Sequence, residues 1–95
     1  MKLGIVGVNP LAQIVVEIQK TNDSSSKMFL YDDDPEKQKH SYYGIKVKNN
    51  VNSIKSDFKK GELDSLHICF GEKLLQKKKI LFDDLKKIGV IFPNF

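Results

Sequence analysis

The chain has 95 residues, 40% apolar and 29% charged, which suits one small soluble domain with a single core. No apolar run approaches the ~18 residues needed to cross a bilayer as a helix, so no membrane partner is expected. The net charge of +4 is carried entirely by lysine, and without arginine the composition speaks against bidentate base readout, so no nucleic-acid partner is expected either.

The chain opens on "MKLGIVGV". A lysine followed by apolar residues could begin a signal peptide, but Asn9, Pro10 and Glu17 interrupt the run and no small-residue cleavage site follows. Residues 3 to 8 instead read as a strand covered on both faces. Leu11, Ile14, Val15 and Ile18 then recur at helical spacing and predict a helix with that stripe inward. Asn22, Asp23 and the serines 24 to 26 end it. "KMFLYDDD" supplies a second strand ending at Asp32, and the weak alternation of "YYGIKVKN" predicts a short extended piece. Val51, Ile54 and Phe58 suggest a short helix closed by Gly61. "SLHICFG" is the clearest later strand. A helix from about Lys73 to Ile88 follows, with Leu74, Leu81, Leu85 and Ile88 on one stripe, Lys86 and Lys87 at its negative end and Gly89 as its stop. A final "VIF" before Pro93 forms a short edge strand. Alternating strands and helices predict one α/β unit, a small Rossmann-like three-layer domain whose mostly parallel sheet has about four strands.

Such a sheet binds ligands at the carboxyl ends of its strands, where strand order reverses. Three tips fall there: Gly7 to Ala12, Asp32 to Asp34, and Gly71-Glu72. Against the dinucleotide pattern G-x-G-x-x-G/A the first tip reads Gly7-Val8-Asn9-Pro10-Leu11-Ala12, keeping the first glycine and the small last residue but not the middle glycine. Two readings of this turn stand. Gly7, Val8 and Asn9 can cradle a phosphate at the positive end of a helix. Alternatively, Asn9 and Pro10 are simply a helix cap and first turn, since asparagine accepts a helix N–H and proline presets the dihedral. An acidic residue beyond the second strand is placed to bond a ribose hydroxyl, and alternation turns Asp32 and Asp33 to different sides, with Asp32 the one toward the site. Asp34-Pro35-Glu36 fits a cap and first turn.

Other candidates are weaker. His67 and Cys69 share a strand face, but a cysteine amid Leu66, Ile68 and Phe70 fits an inert core position. His40 has no second ligand at metal spacing, so no metal is expected. Asp83 and Asp84 point apart on a helix, and Lys77 to Lys79 read as a solvated face. The lone Cys69 rules out an internal disulfide framework and fits a reducing cytoplasm.

The order "KLGIVGVNPLAQIVVEI", "FLYDDDPEK", "YYGIKV", "LHICFGE", "KKIGVIFPNF" resembles the N-terminal domain of bacterial sugar acetyltransferases, the sialic acid O-acetyltransferase and UDP-amino-sugar N-acetyltransferase family of surface-glycan synthesis. The resemblance implies a domain over residues 1 to 95 that holds the nucleotide end of a nucleotide-linked sugar through Gly7, Asp32, Asp33 and Gly71. It further implies that a left-handed β-helix carrying acetyl-coenzyme A and a catalytic histidine would follow Phe95 and assemble the oligomer. On that reading the chain holds no catalytic residue or cofactor of its own. Pro10-Leu11 replaces the family's Gly-His, and Gly71-Glu72-Lys73 replaces its Gly-Asp/Asn-Asn, which implies feeble UDP binding. The alternative is a docking or oligomerisation module that has lost its ligand. A dinucleotide-binding regulatory domain is a third reading, for which Gly7 alone is a thin fingerprint.

Overall fold

In the computed structural model the described residues are 2–23, 25–69 and 75–92. The apolar run after Met1 becomes β1 (Lys2–Val6), and Pro10 then opens α1 (Pro10–Asn22), with Asn9 as its cap. The chain continues through β2 (Lys27–Tyr31), β3 (Ser41–Tyr42), β4 (Ile45–Asn49), α2 (Ile54–Lys59), β5 (Ser65–Ile68) and α3 (Leu75–Lys87). Single 3-10 turns at Lys37–Lys39 and Val51–Ser53 precede β3 and α2.

The sheet order is β3-β4-β2-β1-β5. β1 pairs in parallel with β2 and β5, and β2 with β4, while β3 adds to β4 antiparallel. The expected extended piece is thus a hairpin that brings the sheet to five strands. Its two-residue turn puts Tyr43 at φ 56° and Gly44 at φ 78°, the left-handed pair that matches the twist of tight hairpins. The final "VIF" makes a single parallel bridge, Ile91 to Ser65.

Alternation along the strands divides the core in two. Leu3, Ile5, Leu30 and Val47 pack with Ala12, Val15 and Val16 of α1 on one face. Val6, Tyr31, Leu66 and Ile68 pack with Ile54 of α2 and Leu85 of α3 on the other. The result is the expected Rossmann-like three-layer arrangement.

Of the expected α1 stripe, Val15 faces the core and the other three members do not. Leu11, Ile14 and Ile18 are 46%, 55% and 37% exposed, whereas Ala12, Val15, Val16 and Gln19 are buried. Both sets satisfy helical spacing, and the smaller side chains let α1 sit closer to the sheet. On α3 Leu85 is buried, and Leu81 and Ile88 are half-buried against the same cluster. The positions of Leu74 and Gly71 fall outside the described residues.

Candidate functional site

The chain runs outward from β1 to β2 and β4, then returns through α2 to β5 on the other side of β1. Strand order therefore reverses at β1, and the turn after it, Gly7 to Asn9, lies where an open α/β sheet takes its ligands. Three neighbours hold this turn. Gly7 donates its N–H to the Tyr31 carbonyl at 2.8 Å, and Val8 donates its N–H to the Asp32 carboxylate at 2.8 Å. Asn9 reaches the opposite way, its Nδ2 donating to the Cys69 carbonyl at the end of β5. Gly7 sits at φ 98°, and a Cβ there would lie 3.0 Å from the Cys69 carbonyl oxygen, so both conformation and space require glycine.

Asn9 is also the cap of α1. Its Oδ1 accepts from Ala12 N at 3.0 Å and its carbonyl accepts the first helical bond from Gln13. Pro10 has no N–H. Of the first-turn donors, the Leu11 N–H is the one left uncommitted to Asn9, so the helix end keeps its partial positive charge with a thinned set of donors. The two readings of the turn therefore coexist in one structure. It is a helix start, and it is stitched to both neighbouring strands at the ligand end of the sheet.

Asp32 and Asp33 separate as alternation predicts. Asp32 Oδ2 accepts from Val8 N and its Oδ1 accepts from Asp34 N at 2.9 Å, which crosses the gap between the tips of β1 and β2. Asp33 turns away, and its Oδ1 accepts from Val51 N at 2.8 Å, fixing the turn that leads into α2. Asp34 caps the following turn through Glu36 N at 3.0 Å. Within the candidate set, Gly7, Val8, Asn9 and Asp32 come together, Asp33 does not, and Gly71 lies outside the described residues.

Two further side chains belong to this tip. Lys37 Nζ donates to the Val8 carbonyl at 2.9 Å and lies 3.8 Å from the Asp32 carboxylate, whose side chain is 14% exposed. Tyr43 extends from the strained hairpin turn and donates its hydroxyl to the Asn9 carbonyl at 3.1 Å. Lys37 carried a faint signal, a cation one turn beyond the "DDDP" tip. Tyr43 carried none, because only the fold of the hairpin brings it over the first turn.

Behind the tip, the Tyr31 hydroxyl donates to Asp57 at 2.8 Å, and Lys48 Nζ lies 3.1 Å from the same carboxylate. Burial, and then the Asp57 hydrogen bond, push the Tyr31 phenol above its ordinary range. For Asp57 burial alone would raise the carboxyl, but hydrogen bonds from Tyr31 and Lys48 together with the Lys48 charge hold it below its ordinary 3.8. Cys69 is fully buried in the α1 cluster, which fits an inert thiol. Among the described residues no group of acidic, histidine or cysteine side chains could hold a metal ion, and no helix is long and apolar enough to cross a membrane.

Neither a protein-family model nor a curated protein matches this chain. A solved structure does: the crystal structure of RSP, a Rex-family repressor, superposes with a TM-score of 0.74 at 17% identity. The match covers 94% of this chain but 41% of the repressor, so the likeness is one of fold and involves less than half of that protein. It overturns the resemblance to sugar acetyltransferases, together with the transferase activity and surface-glycan role drawn from it. The physical reason is plain in the geometry: the glycine turn, the acidic tip and the closing helix are parts that any doubly wound sheet builds, so their order identified a fold and not a family. A nucleotide-linked sugar as ligand has no support, and nothing favours the alternative of a docking module that has lost its ligand.

Proposed function

We propose that the chain is a dinucleotide-sensing domain, which binds a ligand of the NAD class at the Gly7–Asp32 tip as a signal and not as a reactant. The observation that carries this reading is the Asp32 carboxylate. It stands at the end of β2, directly across from the glycine turn of β1, where a dinucleotide fold places the acid that accepts from the adenosine ribose. Each of its oxygens accepts one backbone N–H and retains lone-pair capacity for a hydroxyl. The Leu11 N–H, the positive end of α1 and the Lys37 ammonium supply the attraction for a diphosphate. The regulatory part rests on the fold shared with a Rex-family repressor.

The acid also sets a preference. A carboxylate beside Val8 welcomes a ribose diol and repels a 2′-phosphate, so NAD(H) binds more tightly than NADP(H). Calorimetric titration with NADH, NADPH and UDP tests the reading. NADH is expected to bind best, and Asp32→Asn to lose most of that affinity because the amide offers a weaker acceptor. Absence of NADH binding, or tighter binding of NADPH or UDP, would contradict it.

A further inference from the structure

The lysines of this chain are scattered in sequence and gathered in space. Asn52, Lys55, Ser56, Lys59 and Lys60 line an open depression of about 480 Å³ along α2. Lys60 is shared with a second depression of about 420 Å³, which runs to the amino ends of β1 and β2 and is lined by Lys2, Lys27, Phe29, Lys48, Gly61 and Glu62. Six lysines thus form one continuous surface. The carboxylates that meet it are few: Asp57 is taken by Lys48, Glu62 lies 3.4 Å from that same lysine, and Asp64 accepts the Lys2 backbone N–H. Among the described residues Lys27, Lys55, Lys59 and Lys60 enter no ion pair with a carboxylate. Six lysines against these three carboxylates leave an excess of three positive charges at this surface.

We infer that this lysine surface is a contact for the sugar-phosphate backbone of nucleic acid, independent of base sequence. Lys55 and Lys59 stand one helical turn apart on α2, and Asn52 and Ser56 alternate with them, so the whole groove presents hydrogen-bond donors of the kind that meet phosphate oxygens. Lysine acts on phosphate as a point charge, and no arginine is present for bidentate guanine contact, so the surface positions a backbone and reads no sequence. Other polyanions fit less well. Protein interfaces are depleted in lysine at their centres, and membrane-surface helices need large apolar side chains beside the cations. Among the described residues the large exposed apolar side chains, Leu11, Ile14, Ile18, Ile80 and Ile91, all lie on other elements.

Fluorescence anisotropy with a labelled, mixed-sequence DNA duplex tests this on the full chain. Binding is expected at low salt, and if the three groove lysines each neutralise one phosphate, log K falls against log salt with a slope of about −3. Lys55→Glu with Lys59→Glu should weaken binding at least about tenfold, whereas the same charge change at exposed Lys79 and Lys87 on α3 should weaken it far less. Circular dichroism verifies that each variant is folded, and Lys55→Gln with Lys59→Gln replaces the first pair if the charge reversal disturbs α2. Absence of binding at low salt, equal loss in both lysine pairs, or tighter association with phosphatidylserine vesicles than with duplex would overturn the assignment.

Discussion

The two ends of the sheet use their polar groups in opposite ways. At the carboxyl end, Asp32, Asn9, Lys37 and Tyr43 spend hydrogen bonds on the backbone of Val8, Cys69 and Asn9, so that the turn after β1 is tied to β2, β5 and the hairpin at once. On the α2 surface, Lys55, Lys59 and Lys60 spend none on a carboxylate, and their charge faces solvent. The difference teaches that polar density alone does not distinguish structure from binding. A group already satisfied inside the molecule stabilises the fold and recognises a ligand only through spare lone pairs or donors, while an uncompensated cation contributes little to folding and is available to a partner.

Substitutions at the two ends should therefore separate cleanly, from large losses of stability to none. Gly7→Val forces a branched side chain into φ 98° against the Cys69 carbonyl and is expected to cost about 3 kcal/mol or more, seen as a large drop in melting temperature. A change of a degree or two would mean that the turn is not held as described. Asp32→Ala leaves the Val8 and Asp34 N–H groups without their acceptor and is expected to cost about 2 kcal/mol in chemical denaturation. A variant as stable as the parent would make the carboxylate a ligand group alone. Asn9→Ala removes the helix cap and is expected to cost about 1 kcal/mol. Replacing Lys55 and Lys59 by alanine should leave stability within about 0.5 kcal/mol, and a larger loss would place those lysines in the fold.

Asp57 links the two ends, since it hydrogen-bonds Tyr31 in the core and pairs with Lys48 at the edge of the lysine surface. Its carboxyl is held below the ordinary 3.8, so the folded state binds that proton less readily than the unfolded chain. The stability it contributes is complete above 3.8 and is lost as pH falls through the lower folded value. Denaturation followed across this acid range should show a steeper decline for the parent than for Asp57→Asn. Equal slopes would remove the carboxylate from the acid response.

The tip was legible because its parts lie in short stretches with local rules. A glycine ends a buried strand, an asparagine and a proline open a helix, and alternation separates Asp32 from Asp33. The lysine surface was not legible, because Lys2, Lys27, Lys48 and Lys60 come from four separate segments. The densest run in the sequence, Lys77 to Lys79, lies on a different helix, α3. The inner face of α1 was ambiguous for another reason: Leu11-Ile14-Ile18 and Ala12-Val15-Val16 both satisfy a helical period, and depth of packing against Leu3 and Ile5 decided between them. Family identity failed on yet another ground. The cues that suggested it belong to the doubly wound sheet itself, as the fold shared with a Rex-family repressor makes clear.

The most direct measurement is a titration of the nitrogen-15-labelled chain with NADH, followed by amide chemical shifts. The account predicts that Gly7, Val8, Leu11 and Asp32 move together and saturate, that Lys55 to Lys60 stay in place, and that NADPH produces weaker changes at the same amides. Shifts confined to α2, or no saturable change at the Gly7 turn, would contradict the assignment of the ligand to the carboxyl end of the sheet.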